Sequence, residues 1–321
     1  MDNLNEDYPV SNTKNKVAKR DLYNDAISEL NIIINSNPDI ESYYNERGLI
    51  HSKLRNNNEA IQDFSKAIKI NSNSEQAYKN RGNIYSKLKK YKEAIRDYTR
   101  AIKINPKLVG VYNNRGLSKE KIGDNEGALL DYTKSISINP RFASPYNNRG
   151  LIKFYFDDYK GSLKDFDKAV KIDPKFACAY NNRGMLHNKK EDFKEAIIDL
   201  TQAIELNPRF AQAYTNRGIS YIRLGKEDLA YKDFSKAIEI SPRFSIPYLN
   251  RAILNKDRNY LNESKKDLDI LIKINLKYPR AYFERANVKI ELNDIQGAKK
   301  DLVKAIELGY KEAIAKLEKL S

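Results

Sequence analysis

Apolar and small residues in this chain recur three and four apart, the spacing of one helix face rather than of a strand, and the pattern returns every 34 residues without a slip. Taking Glu41, Glu75, Val109, Ala143, Ala177, Ala211, Ser245 and Pro279 as first positions defines eight repeats: 41–74, 75–108, 109–142, 143–176, 177–210, 211–244, 245–278 and 279–312. Every repeat has tyrosine at position 4, from Tyr44 to Tyr282, and arginine at position 7, from Arg47 to Arg285. Position 8 is glycine in six repeats and alanine at Ala252 and Ala286. Position 20 is likewise small, and position 24 is large and apolar or aromatic, as in Phe64, Tyr98 and Leu200. Positions 4, 8 and 11 share one helical stripe and positions 20, 24 and 27 another. Polar triplets such as Gly123-Asp124-Asn125 stand between the stripes as turn chemistry. The second stripe stops at a proline in Asn105-Pro106, Asn139-Pro140, Asp173-Pro174, Asn207-Pro208 and Ser241-Pro242, because the residue before proline is pushed out of the helical region. Each repeat is therefore predicted to be a helical hairpin. A lone hairpin cannot bury its apolar surface, so neighbours must stack.

A 34-residue unit with an aromatic at positions 4 and 24, glycine at 8, alanine at 20 and 27 and proline at 32 resembles the tetratricopeptide repeat, over essentially all of the chain from Ala26 to Leu320. The resemblance implies an all-α, right-handed superhelical solenoid of antiparallel helix pairs whose first helices line an inner, concave groove. At the N-terminal end, residues 1–12 read as a polar tail and 13–40 as a degenerate repeat. In that repeat Ala26, Leu30 and Pro38 match positions 20, 24 and 32, but the first helix, near Thr13 to Asp21, lacks the tyrosine and the glycine. At the other end, Tyr310 to Leu320 resembles a closing helix, of which residues 313–321 form the remainder beyond the last repeat.

The conspicuous polar feature is the recurring YNNRG. Positions 2, 6, 9 and 13 point away from the hairpin core, so its second asparagine becomes a column: Asn80, Asn114, Asn148, Asn182, Asn216 and Asn250. A carboxamide carries one acceptor oxygen and an NH2 donor on a short uncharged side chain, which suits it to the backbone amides of an extended peptide. The column is similar to the asparagine ladders with which some tetratricopeptide superhelices grip peptide backbone; bonds to neighbouring helices are the structural alternative. Position 9 adds an apolar strip, Leu49, Leu117, Leu151, Met185, Ile219 and Ile253. Position 13 contributes Lys53, Lys87, Lys121, Lys189 and Arg223, then turns acidic at Asp257 and Glu291. Phe154 and Tyr155 are aromatic anchors in the fourth repeat, with Phe156 and Tyr159 assigned to the core. Aspartate at position 23 of all eight repeats, Asp63 to Asp301, offers each position-7 arginine an acidic partner.

Composition narrows the function classes. The formal charge of +15 admits nucleic acid or an acidic partner, but abundant lysine, asparagine and isoleucine together are also what an AT-rich genome writes on solvated helix faces. No apolar run approaches the ~20 residues that cross a bilayer, the N-terminus lacks a signal-peptide layout, and the single cysteine, Cys178, suits a reducing cytoplasm. No metal-ligand spacing, phosphate loop or catalytic constellation is visible; His51 and His187 both occupy position 11, a packing position. The expectation is a cytoplasmic, non-enzymatic scaffold without cofactor that binds an extended peptide segment of a partner protein, acidic if the position-13 lysines select it. Two alternatives stand beside it. One is single-stranded RNA binding by helical repeats. The other, implied by the family resemblance, is capture of a chaperone's C-terminal carboxylate, for which Lys79, Asn83 and Asn114 match the clamp positions while Ser144 and Asn148 stand where lysine and arginine are needed.

Overall fold

A computed structural model describes residues 10–320, with side chains from Arg20 onward. Among the described residues the chain is helical throughout, without strands. It forms two compact units, one closing at Ile152 and the other starting at Lys153. The first unit contains α1 (Val10–Ser36) and the hairpins α2 (Glu41–Lys53) with α3 (Asn57–Ile70), α4 (Glu75–Lys87) with α5 (Tyr91–Ile104), and α6 (Val109–Lys121) with α7 (Asn125–Ile138). Helix α8 (Ala143–Tyr155) is divided, its last turn belonging to the second unit. That unit continues with α9 (Tyr159–Ile172) and pairs α10 (Ala177–Lys189) with α11 (Phe193–Leu206), α12 (Ala211–Arg223) with α13 (Glu227–Ile240), α14 (Ser245–Asp257) with α15 (Leu261–Ile274), and α16 (Pro279–Glu291) with α17 (Ile295–Glu307), before closing with α18 (Glu312–Glu318).

The hairpins close because position 8 has no side chain to hold the helices apart. A Cβ added to Gly82 would lie 2.8 Å from the Tyr98 ring, and one added to Gly218 would lie 2.6 Å from Phe234, inside any real contact. The position-24 side chains so accommodated, Phe64, Tyr98, Tyr132, Phe166, Leu200, Phe234, Leu268 and Leu302, are essentially inaccessible to water. The tyrosines of position 4 pack at the joint between repeats, and several hydroxyls cap the preceding helix's exit; Tyr44 Oη donates to the Pro38 carbonyl at 3.1 Å and Tyr248 Oη to that of Pro242 at 3.2 Å.

Arginine at position 7 is the tie within and between repeats. In seven repeats its Nε and Nη2 grip both oxygens of the position-23 aspartate of the same hairpin at 2.6–2.9 Å, a planar two-bond pairing that lysine cannot make. Its Nη1 reaches back to position 25 of the preceding repeat, where Asn31, Ser65, Thr99, Thr133, Asp167, Thr201, Ser235 or Asp269 accepts at 2.6–3.1 Å. Hydrogen bonding to Asp199 holds the Arg183 guanidinium above its ordinary range. Position 11 also serves this aspartate rather than only packing: Lys119 and Lys289 approach theirs at 3.0 and 2.8 Å, and His51 and His187 stand at 3.9 and 3.8 Å from Asp63 and Asp199.

Both ends depart from the expected layout. The segment expected to fold as a tail and a degenerate hairpin is one helix from Val10 to Ser36, because nothing between Asp21 and Ala26 supplies a glycine or a proline to break it. Residues 1–9 of the expected tail lie outside the described residues. At the C-terminal end Gly309, with φ of 89°, turns the chain into α18, which buries Ala313 and lays Leu317 and Leu320 against the last hairpins.

Candidate functional site

The predicted row of first-helix positions lies outside the hairpin core, and the structure shows how its asparagines are held. In the first unit Asn80 Nδ2 donates to Asn45 Oδ1 at 3.0 Å, and Asn148 Nδ2 to Asn113 Oδ1 at 3.1 Å. In the second, Asn216 Nδ2 donates to Asn181 Oδ1 at 3.0 Å. The donor is always the second asparagine of YNNRG, and the acceptor is the first asparagine of the repeat before it. Asn113, Asn147 and Asn181 are buried, a role the sequence reading left unassigned. Where the acceptor is missing the pattern adapts: Lys79 replaces it in the second repeat, and Asn114 Nδ2 turns to Asn83 Oδ1 at 3.2 Å. Part of the column therefore ties neighbouring helices, as in the structural alternative. The tie uses the NH2 group. Among the described residues, no hydrogen bond is formed to the Oδ1 of Asn80, Asn114 or Asn216, so these amides present an acceptor rather than a donor and acceptor together.

In the sixth repeat both acceptors are gone. Position 5 of that repeat is Thr215, whose hydroxyl is committed to the Ala211 carbonyl at 2.8 Å, and position 9 is Ile219. The next column member, Asn250, is left with a buried Nδ2 that has no partner. It lines a pocket of about 160 Å³ whose walls are Ile219 and Ile222 of α12, Ile253 and Leu254 of α14, and Phe234 beneath them. Arg223 and Asp257 stand at its rim. Positions 9 and 13 of one repeat and 6, 9 and 13 of the next thus meet at one place. Ile222 and Leu254 were not singled out in the sequence. The signal was present in the change from AYNNRG to AYTNRG at Ala213–Gly218.

The remaining predicted residues are distributed along the row. Lys53, Lys87, Lys121 and Lys189 are exposed; Lys53 Nζ lies 5.5 Å over the Tyr23 ring, and Arg223 lies 5.9 Å over Phe193. Exposed lysines also dress the outer side of the second helices, as at Lys164, Lys168 and Lys171 of α9, so basic charge does not single out this face. Leu117 leans on the Ala128, Tyr132 and Ile152 cluster, whereas Leu151 and Met185 are half-buried and Leu49 is 39% exposed. Tyr155 is 70% exposed and meets Phe154 edge to face at 5.4 Å. Tyr159 is half-buried against Phe154, but Phe156, expected in the core, is 62% exposed: it follows the end of α8 and precedes Asp157 in the turn, where no helix face carries it inward. The residues matched to the carboxylate clamp bond to one another and to protein partners, Lys79 Nζ to Gln76 and Asn83 Oδ1 to both Tyr98 Oη and Asn114. Among the described residues no group of three or more His, Cys, Asp or Glu could hold a metal ion, and no helix is long and apolar enough to cross a membrane.

The tetratricopeptide repeat model matches residues 42–74, 75–108, 109–142, 143–176, 177–210, 211–244 and 279–308, in phase with the hairpins described above. The chain belongs to the tetratricopeptide repeat family. No curated protein matches it. Among solved structures it is similar to the APC/C hetero-tetramer Cut9-Hcn1, at 15% identity and TM-score 0.67, over 83% of this chain and 52% of that one, so it spans about half of that chain's length. It is also similar to a tetratricopeptide repeat protein from Parabacteroides merdae (22% identity, TM-score 0.59, 77% of this chain and 98% of that one) and to Pseudomonas aeruginosa PilF (19%, 0.59, 65% and 97%). These likenesses are likenesses of fold. Tandem tetratricopeptide repeats support a protein–protein interaction scaffold, and proteins built of them are generally non-enzymatic.

Proposed function

We propose that this chain is a non-enzymatic scaffold that holds an extended peptide segment of a partner protein along the first-helix row of its repeats. The observation that carries the reading is the convergence of row positions from consecutive repeats on the Ile219–Asn250–Ile253 pocket, which the hairpin core does not need. The asparagine column supports it in modified form. With each NH2 turned to the preceding repeat, the carboxamide oxygens accept N–H groups of the bound backbone, a contact independent of the ligand's sequence.

The test is the double variant Asn114→Ala and Asn216→Ala, assayed by fluorescence anisotropy against a peptide first selected from an array on the full-length chain. Two lost acceptors should weaken binding by about five- to a hundredfold. Unchanged affinity accompanied by a lowered melting temperature would leave the asparagines as ties between helices and nothing more. The RNA reading is separated by salt: a steep loss of single-stranded RNA binding between low and moderate ionic strength, with no peptide selected, would replace the proposal.

A further inference from the structure

Resting on that reading, we infer that the pocket between α12 and α14 is a specificity site for one large apolar side chain of the bound peptide, phenylalanine or leucine, whose backbone carbonyl accepts from Asn250 Nδ2. The pocket is about 160 Å³ with isoleucine and leucine walls, and an apolar cavity of ~150 Å³ takes a benzene-sized group. Its rim carries one cation, Arg223, and one anion, Asp257, which together favour no charged side chain. The donor is specific to this place. Asn80, Asn114, Asn148 and Asn216 spend their NH2 groups on Asn45, Asn83, Asn113 and Asn181, while Thr215 and Ile219 deny Asn250 either acceptor. A buried amide donor without a partner is costly, and one with no bond to lose turns freely about its soft χ2 torsion to meet a carbonyl at the pocket. The change from asparagine to threonine at position 215 therefore releases the next repeat's asparagine from its structural duty and makes it a hook for ligand.

N-acetyl-phenylalanine amide, titrated into the full chain carrying labelled isoleucine methyls, tests this. The Ile219, Ile222 and Ile253 resonances should shift and Ile84, far away in the first unit, should not; N-acetyl-lysine amide should move none of them. Thr215→Asn restores the acceptor found in other repeats. It should weaken the phenylalanine probe by roughly two- to tenfold while leaving the melting temperature unchanged or raised. Asn250→Ala should weaken it equally, and carries the test alone if Thr215→Asn fails to fold. Absence of the methyl shifts, or equal affinity in wild type and both variants, would overturn the inference. Normal probe binding in a chain that fails the Asn114 and Asn216 test would keep the pocket and remove the ladder, so the two failures are distinguishable.

Discussion

Position 15 adopts the left-handed backbone conformation in every repeat, with φ between 60° and 85°, yet only Gly123 and Gly225 are glycine there; Arg55, Lys89, Asp157, Glu191, Asn259 and Asn293 fill the other six. The residue follows the first helix and turns the chain into the second, and an L side chain in that region costs about 1 kcal/mol that glycine avoids. Glu191→Gly should accordingly stabilise the chain by about 0.5–1 kcal/mol, and Gly225→Ala should destabilise it by about 1 kcal/mol. Denaturant midpoints check both, and the same sign for the two changes would contradict the geometry. Of these turns, the sequence announces Gly123-Asp124-Asn125 and its like. Lys89 and Glu191 carry no such mark, because the hairpin imposes the conformation on whatever residue arrives. Asn250 is the opposite case: its column position was legible from spacing, but its freedom depends on Thr215, 35 residues away, and a missing acceptor shows only when neighbours are placed side by side.

Between elements, the decisive contact is the arginine that joins a hairpin to itself and to its predecessor. Arg217 is gripped by Asp233 at 2.8 and 2.9 Å and reaches Thr201 at 3.0 Å, with the aspartate side chain only 8% exposed. Lysine keeps the charge but cannot make the fork, so Arg217→Lys leaves a buried carboxylate half-satisfied and should cost about 1–3 kcal/mol, read as a lower urea midpoint. A loss well under 1 kcal/mol would mean that the pair behaves as a solvated surface bridge. The arginine and aspartate columns were readable because identity repeats. The position-25 column was not, since Asn, Ser, Thr and Asp share only an acceptor oxygen, and periodicity in chemistry without periodicity in identity is hard to see in one sequence. Helix α1 escaped for a related reason: its second half keeps the pattern of a repeat, and only the absence of a breaker near Asp21 tells that no hairpin precedes it.

At the scale of the whole chain, each repeat is secured by contacts to its immediate neighbours, so stability is a sum over repeats and joints. Removing residues 211–244 would bring Arg251 to Thr201, the acceptor that Arg217 now uses, with every other joint kept. That shortened chain should remain as helical per residue by circular dichroism and unfold cooperatively. Removing 211–243 instead rotates all that follows by about 100° on the helix and should collapse both. The joint asks of the preceding repeat only that some oxygen stand at its twenty-fifth place. It does not ask which repeat that is. A gene encoding such a chain can therefore gain or lose whole copies through misaligned recombination and still specify a folded product, and a single copy such as the one holding Thr215 can drift toward a new ligand while its siblings keep the structure standing.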